Sequence, residues 1–228
     1  LASSTLSGGV ASVAGSYGFT TPSTAPNAGT ASQSVTFTPA DTANYNNAIT
    51  SASVTVSQRA VQLTGGRAYD GTTGVSAAIL SVANKVGSDV VTVASGSGTL
   101  AGKNVGAQAI SSFGNLALGG AAAGNYTLTG ASGSVTISGA ALNITANNDT
   151  KPYGQTVGYG SGSTAFTSSG LQNGESIGSV TITASGGTAA TDPAGNYSLM
   201  PGSATGGTFS AANYNISYHA GTLQVMPG

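Results

Sequence analysis

Six carboxylates and one histidine are the first candidates for acid–base chemistry in this sequence. They are Asp41, Asp70, Asp89, Asp149, Glu175, Asp192 and His219. Glycoside hydrolysis needs two facing carboxylates, but most of these acids lie among Gly, Asn and Thr residues that are typical of turns, as in Asp70-Gly71. A catalytic or metal-binding histidine needs converging partners, and none is recognisable near His219. The sequence therefore predicts no catalytic residues and no enzymatic activity.

Metal and cofactor sites also lack their usual signatures. The chain has no cysteine, so it forms neither a disulfide nor a Cys-based metal site. Calcium sites usually contain acidic clusters of the DxDxD kind, and the nearest approach, Asn147-Asn148-Asp149, is better explained as a turn. The glycine-rich stretch GGAAAGN at 119–125 lacks the helix and lysine of a phosphate-binding loop. We predict no metal and no cofactor.

Tyrosine is the residue type best suited to binding a ligand in this sequence. An exposed tyrosine offers a sugar ring an apolar face and a hydroxyl group. Tyr153 and Tyr159 lie around a glycine-rich stretch, which makes them the candidate glycan-binding residues. They support an alternative function, that of a carbohydrate-binding module for a matrix polysaccharide or a host glycan.

Charge is sparse throughout the chain. Only 5% of the 228 residues are charged, against about 25% in typical soluble proteins, and the net charge is −1. The basic residues are scattered: Arg59, Arg67, Lys85, Lys103 and Lys151. Because nucleic acids and anionic membranes bind clustered Lys and Arg, neither partner is expected. All three lysines lie beside polar or loop residues, which argues against an intramolecular isopeptide bond. No apolar run approaches the roughly 20 residues that span a bilayer, so no membrane insertion is expected.

The elements that must position these side chains are predicted to be β-strands. Hydrophobic residues make up 39% of the chain and alternate with polar ones in short β-branched runs, which favours an all-β fold over disorder. The predicted strands are centred on Val35–Phe37, Val54–Val56, Val91–Val93, Val135–Ile137, Leu142–Ile144 and Val180–Ile182. Residues 75–85 have helical spacing but lie between Gly74 and Gly87, so we predict a strand with an irregular end.

One sequence block occurs three times, at residues 44–56, 125–137 and 213–225. Each copy begins with an Asn-Tyr pair, and aliphatic residues follow nine and eleven positions after the tyrosine. The tyrosines are Tyr45, Tyr126 and Tyr214. We predict that each asparagine closes a turn in left-handed geometry. We also predict that each tyrosine is buried and starts a strand, with its hydroxyl bonded to the backbone, and that Gly133 or Gly221 bends a closing hairpin.

The block defines three predicted repeats, residues 1–57, 58–138 and 139–228. No long linker separates them, so we expect a stiff, elongated array in which each repeat contacts only its neighbours. The later repeats open with an alternating apolar strand, a polar turn and an aromatic residue. The first repeat lacks that strand, so we expect it to be truncated at its N-terminus, in a fragment of a longer protein. The alternative is a continuous solenoid in which the repeats share strands.

The three predicted repeats resemble known families. The stretch from RAVQLTGGRAYDGTT to GNYTLTGASGSVTIS is similar to the YDG domain, which is named for the triplet Tyr69-Asp70-Gly71. The stretches LNITANNDTKPYGQT, SSGLQNGESI, DPAGNYSLM and NYNISYHAGTLQV resemble the MBG domain, which is mostly β and glycine-rich. Residues 1–57, above all FTTPSTAPNAGTASQSVTFTPADTANYN, resemble a bacterial Ig-like repeat.

The resemblance implies small sandwich-like domains in tandem, as in very large bacterial surface or secreted adhesins, including filamentous-haemagglutinin-like proteins. It implies a stalk or spacer that projects an adhesive region for cell attachment or biofilm formation, and it supplies no catalytic residues. The expected partners are neighbouring repeats of the same polypeptide, with a polysaccharide or host-surface ligand as an alternative. We expect the fragment to be monomeric and the protein to lie on the bacterial surface or outside the cell.

Overall fold

The computed structural model describes the whole chain, Leu1–Gly228, and its secondary structure is almost entirely β. Its helical elements are three 3₁₀ turns, Ala77–Ile79, Ala123–Asn125 and Ala211–Asn213. The strands are β1 (Gly15–Phe19), β2 (Gly29–Pro39), β3 (Ala48–Val56), β4 (Arg59–Ala68), β5 (Gly74–Ser76), β6 (Leu80–Val82), β7 (Thr92–Ser95), β8 (Ser97–Leu100), β9 (Gly106–Ser112), β10 (Ala117–Gly119), β11 (Tyr126–Ser138), β12 (Ala140–Ala146), β13 (Asp149–Pro152), β14 (Phe166–Ser169), β15 (Ile177–Ala184), β16 (Gly195–Gly207), β17 (Tyr214–His219) and β18 (Gly221–Met226). The prediction of an all-β chain is confirmed. No helical element has the length and apolar character that crossing a membrane requires.

The strands follow the alternating runs of β-branched residues. In β2 the side chains of Val35 and Phe37 are buried and that of Thr38 is exposed, as the two-residue period of a pleated strand requires. The predicted strands are confirmed, with β7 beginning one residue into the run Val91–Val93. Residues 75–85 end irregularly at 83–85, as predicted, but a 3₁₀ turn divides the predicted strand into β5 and β6.

Two compact units make up the chain, and each is described separately. Unit 1 comprises Leu1–Leu63, Ser81–Ser95 and Leu116–Ser132. It contains the antiparallel sheet β1-β2-β3, and β7 pairs antiparallel with β10. Its buried apolar side chains are Val35, Phe37, Val61, Leu63, Val82, Val91, Val93, Leu116 and Tyr126.

Unit 2 comprises Thr64–Leu80, Gly96–Asn115 and Gly133–Gly228. In it β8 pairs with β5 and β9, and β9 pairs with β11, all antiparallel. The sheets β14-β12-β17 and β13-β18-β16-β15 each contain one parallel pair, β12 with β17 and β13 with β18. Their best-buried apolar side chains are Leu142, Ile144, Val180, Ile182, Leu199, Leu223 and Val225.

The third copy of the repeated block is not a hairpin, so that prediction is wrong. Its strand β17 pairs with β12, whereas β18 pairs with β13 and β16 in a different sheet. The chain therefore passes from one sheet to the other between His219 and Gly221. A Cβ on Gly221 would lie 2.7 Å from the Asn147 carbonyl oxygen, so the crossing leaves no room for a side chain. In the second copy Gly133 lies inside the continuous strand β11 and bends no hairpin.

We predict that Gly221→Ala lowers the free energy of unfolding by about 1–3 kcal/mol, the usual cost of overpacking. The new Cβ would press on backbone carbonyl oxygens at the crossing, which cannot rotate away as a side chain can. Urea unfolding followed by circular dichroism measures the loss. Gly202→Ala in β16 is the matched control, because a Cβ there meets open space. Equal losses in the two variants would contradict the prediction.

Candidate inter-repeat junctions

Tyr126, in the second copy of the block, is anchored by its hydroxyl group. It follows the 3₁₀ turn Ala123–Asn125, opens β11 and is 3% exposed. Its hydroxyl accepts the Val86 N–H at 2.8 Å and donates to Asp89 Oδ2 at 2.8 Å. The prediction of a buried tyrosine bonded to backbone is confirmed here. The carboxylate is a further partner that the sequence pattern did not reveal.

Tyr214, in the third copy, has the same arrangement. It follows the 3₁₀ turn Ala211–Asn213, opens β17 and is 7% exposed. Its hydroxyl accepts the Gln172 N–H at 2.9 Å and donates to Glu175 Oε2 at 2.7 Å. In both repeats the carboxylate lies three residues after the residue that donates its N–H. One loop therefore supplies both partners of the tyrosine hydroxyl.

The asparagine that precedes Tyr126 bonds to a loop of the predicted first repeat. Asn125 Oδ1 accepts the Ala28 N–H at 2.7 Å, and its Nδ2 donates to Asn27 Oδ1 at 3.1 Å. The loop directly precedes β2, which begins at Gly29. We call this pair of hydrogen bonds from a block asparagine the amide clasp.

A second amide clasp joins the predicted second and third repeats. Asn213 Oδ1 accepts the Val105 N–H at 3.0 Å, and its Nδ2 donates to Asn104 Oδ1 at 3.1 Å. The loop again directly precedes a strand, β9, which begins at Gly106. Asn213 is 3% exposed, so its carboxamide depends on these partners. A comparison of the Asn-x-Gly loops before β2 and β9 would have been the sequence signal for both clasps.

The block asparagines do not adopt the left-handed geometry that we predicted. Asn173 and Ser203 are the non-glycine residues with positive φ. Asn125 and Asn213 do end turns, as predicted, but these are 3₁₀ turns. The clasp requires the side-chain carboxamide of asparagine at these positions and does not require a positive φ.

The Tyr69-Asp70-Gly71 triplet adds a contact at the second clasp. Tyr69 is 2% exposed, and its hydroxyl donates to Glu175 Oε1 at 2.5 Å. Its ring meets that of Tyr214 edge-on, with the ring centroids 5.4 Å apart. The Gly71 carbonyl accepts Asn173 Nδ2 at 3.2 Å.

Asp70 closes the turn of the triplet, as its Asp-Gly sequence predicted. Its Oδ1 accepts the Thr72 N–H at 2.8 Å and pairs with the Arg67 guanidinium. Burial opposes ionisation of Asp70, but the hydrogen bonds from Thr72 and Arg67 outweigh it and lower the pKa of Asp70. The Asp70 carboxylate therefore pairs with and accepts hydrogen bonds from residues of its own predicted repeat.

Glu175 is the acidic centre of the second junction. Its side chain is 8% exposed and lies between two tyrosine hydroxyls, with Lys103 Nζ 3.8 Å away. Burial raises the pKa of Tyr69 to about 12, and the hydrogen bond to Glu175 and its charge add to the rise. Burial and the same carboxylate also raise the pKa of Tyr214. Both phenols therefore stay protonated at neutral pH and donate to Glu175.

The first copy of the block lies in a different environment. Tyr45 is 49% exposed, and it starts no strand because β3 begins at Ala48. The Asn44 side chain donates to its neighbour Asp41 at 2.8 Å. The prediction that Tyr45 is buried is wrong, because no carboxylate and backbone amide face its hydroxyl as they do in the other two copies.

The two candidate glycan-binding tyrosines have different surroundings. Tyr153 follows β13 and is 50% exposed. Tyr159 is half-buried, and its hydroxyl donates to Asp149 Oδ2 at 2.8 Å. Burial, followed by the Asp149 hydrogen bond and charge, raises the pKa of Tyr159. Tyr153 thus presents a face to solvent, whereas the Tyr159 hydroxyl is used internally. Their role in binding sugars remains a prediction.

The remaining polar candidates have structural partners. His219 Nε2 lies 3.0 Å from Asn143 Oδ1 on neighbouring strands, and Asn148 Oδ1 accepts the Thr222 N–H at 2.8 Å. The structure contains no group of three or more His, Cys, Asp or Glu side chains placed to hold a metal ion. Lys151, which we expected to lie beside polar or loop residues, is 3% exposed in β13 and donates to the carbonyl oxygens of Gln155 and Ala189, which lie outside the strands.

Comparisons with known families agree with this architecture. Residues 50–135 match the family model of the YDG domain, and residues 142–224 match that of the MBG domain (YGX type). The chain thus contains both domains, as the sequence resemblance predicted, and neither is an enzyme family. Searches of curated proteins and of solved structures gave no significant match. The Ig-like character of residues 1–57 and the three repeat boundaries remain predictions.

We predict that Asn213→Ala lowers the free energy of unfolding by about 1–3 kcal/mol, because the Val105 N–H loses its acceptor. Hydrogen exchange of the Val105 amide should accelerate, and urea unfolding measures the total loss. Asn196→Ala, at an exposed asparagine in β16, is the matched control. Unchanged exchange at Val105 in the Asn213 variant would contradict the clasp.

We also predict that the second junction weakens at alkaline pH. The pKa of Tyr69 rises from 10.0 to about 12 on folding, so the folded state holds this proton more tightly than the unfolded state. The resulting stabilisation is complete below pH 10 and is lost as the pH rises through 12. Urea midpoints measured across this range should fall less steeply in Tyr69→Phe than in the wild type. The exposed Tyr153→Phe is the control, and identical slopes for Tyr69→Phe and the wild type would refute the assignment.

Proposed function

We propose that this chain, which carries a YDG domain followed by an MBG domain, is a series of structural repeats that sets distance within a large bacterial surface or secreted adhesin. The repeats would project an adhesive region for cell attachment or biofilm formation. YDG and MBG domains are consistent with adhesin-like surface repeats. The observation that carries the proposal is that the amide clasp occurs twice, each time between a block asparagine and an Asn-x-Gly loop.

Short connections support the same function. Two residues separate β3 from β4, and one residue separates β11 from β12. At the first connection Gln58 Nε2 also donates to the Gly124 carbonyl at 2.9 Å. A connection this short restricts rotation between the elements that it joins, and a clasp restricts it further. A spacer requires stiffness of this kind, whereas catalysis does not require it.

Composition fits a role outside the cell. The chain has no cysteine and few charges, so its folding involves no disulfide, and its surface offers no clustered charge to attract nucleic acid or anionic lipid. We therefore place the protein on the bacterial surface or in the secreted fraction, with neighbouring repeats as its main partners and no enzymatic role.

Small-angle X-ray scattering tests the spacer function. A compact globule of 228 residues has a radius of gyration of about 17 Å, and a stiff array should give a value well above that. The double variant Asn125→Ala/Asn213→Ala should keep its folded content and show greater flexibility in a Kratky plot. The double variant Asn47→Ala/Asn196→Ala, at exposed asparagines that lie outside both clasps, is the matched control. A wild-type value close to that of a compact globule would refute the spacer.

A second candidate function is carbohydrate binding, which the exposed ring of Tyr153 favours. A glycan array probed with the labelled chain tests it directly. Reproducible binding that is lost in Tyr153→Ala and kept in Tyr159→Phe would establish a binding module. Binding that survives Tyr153→Ala would exclude this site.

A further inference from the structure

Unit 1 contains an open cleft beside its amide clasp, and the spacer function does not explain it. The cleft has a volume of about 360 Å³. Among its lining residues are Pro26, Val56, Arg59, Asp89, Asn125 and Tyr126. The lining thus combines apolar residues with the block asparagine, the block tyrosine and its carboxylate.

The same three polar groups surround a tyrosine in unit 2. Glu175 and Tyr214 contact Tyr69 through a hydrogen bond and an edge-on ring contact. The Asn213 side chain also acts on the Tyr69 hydroxyl, where it lowers the pKa against the larger rise caused by burial and Glu175. These residues correspond to those of unit 1 by their place in the block and by their shared hydrogen-bond pattern.

The carboxylates of the two units, Asp89 and Glu175, differ in the number of tyrosine hydroxyls that donate to them. In unit 2 each oxygen of Glu175 accepts a tyrosine hydroxyl, Oε1 from Tyr69 and Oε2 from Tyr214. In unit 1 Asp89 Oδ2 accepts the Tyr126 hydroxyl, and Oδ1 accepts no hydrogen bond. No aromatic ring packs on Tyr126 either. The position that Tyr69 fills in unit 2 is therefore open in unit 1.

We infer that the unit 1 cleft binds a phenol, the side chain of a tyrosine that donates its hydroxyl to Asp89 Oδ1 and packs its ring edge-on against Tyr126. Cavities of about 150 Å³ already accommodate a benzene ring, so the cleft is large enough. Arg59 at its lining can stack on the ring face. The donor is a tyrosine on a turn like that of Tyr69, in another repeat. Phenol binding itself does not depend on the proposed spacer function, whereas this identity of the donor rests on it.

Titration of the ¹⁵N-labelled chain with p-cresol tests the inference. Saturable shifts are expected at the Val86 amide and the Asn125 side-chain amide, which both border the cleft. The Gln172 amide and the Asn213 side chain should not shift, because Tyr69 already occupies their site. The methyl ether of p-cresol keeps the ring and lacks the donor, so it should bind at least tenfold more weakly. No saturable shift at Val86 and Asn125, or equal binding of the ether, overturns the proposal.

Two variants sharpen the result. Asp89→Asn keeps an acceptor but removes its charge, so p-cresol should bind about tenfold more weakly. Tyr69→Ala opens the unit 2 site, and p-cresol should then shift Gln172 and raise the midpoint of thermal unfolding of that variant. Since the wild-type titration is independent of Tyr69→Ala, failure of that variant to fold leaves the main test intact. Wild-type affinity in Asp89→Asn overturns the proposed hydrogen bond.

A peptide with the sequence of residues 66–73, GRAYDGTT, distinguishes the source of the phenol. Binding at least as tight as that of p-cresol, at the same residues, supports a tyrosine from another repeat. Binding of p-cresol without binding of the peptide overturns the donor assignment and leaves a small-phenol site. The scattering experiment on the spacer does not bear on either outcome, so the two proposals fail separately.

Discussion

A chain with few charges must satisfy the backbone amides at the ends of its predicted repeats without ionic contacts, and this constraint shapes both candidate junctions. The Ala28 and Val105 amides bond in part-buried surroundings, where an N–H without an acceptor costs about 1 kcal/mol, the low end of the range for a buried donor. Asn125 and Asn213 meet the constraint with a neutral carboxamide, which accepts one backbone N–H and donates to a second asparagine. An aspartate could accept the same N–H and, with the facing amide turned over, the Nδ2 of Asn27 or Asn104, but it would bring a charge whose desolvation cost the neutral carboxamide avoids. The chemistry of the position therefore selects asparagine.

The carboxylates of Asp89 and Glu175 are likewise compensated mainly by neutral groups. Glu175 has a side chain that is 8% exposed, and its nearest cation, Lys103, is 3.8 Å away and half-exposed. Two phenols supply the compensation, because hydrogen bonds to a charged acceptor are stronger than those between neutral groups. Since the tyrosine rings are themselves buried, the same groups contribute apolar packing and charge compensation. A lysine or arginine in that place would bring a second charge that also had to be desolvated.

Much of the fold could be predicted from local pattern, and much of the junction could not. Alternating β-branched residues predicted the strands because alternation is a local property, and the recurrence of the block predicted the burial of Tyr126 and Tyr214. The parallel pairing of β12 with β17 joins residues far apart in the chain, so the hairpin prediction failed. The sequence did not reveal Asp89 and Glu175 as partners of the tyrosines. The two loops that carry them have in common only the three-residue spacing between the N–H donor and the carboxylate. Tyr45 has the same local sequence as the others but lacks such a loop.

The Tyr69-Asp70-Gly71 triplet shows how one short turn of the YDG domain can contact the MBG domain. Tyr69 provides the ring and the hydroxyl that reach Glu175, and Asp70 holds the turn through its bond to the Thr72 N–H. Gly71 has φ +75, and a Cβ there would lie 2.5 Å from the Asn173 Cβ, so only glycine combines this backbone with this approach. Each residue of the triplet thus has a separate physical task at the same contact. Along the chain, Tyr69 makes the contact with Glu175, Asp70 closes the turn, and Gly71 permits the close approach of Asn173.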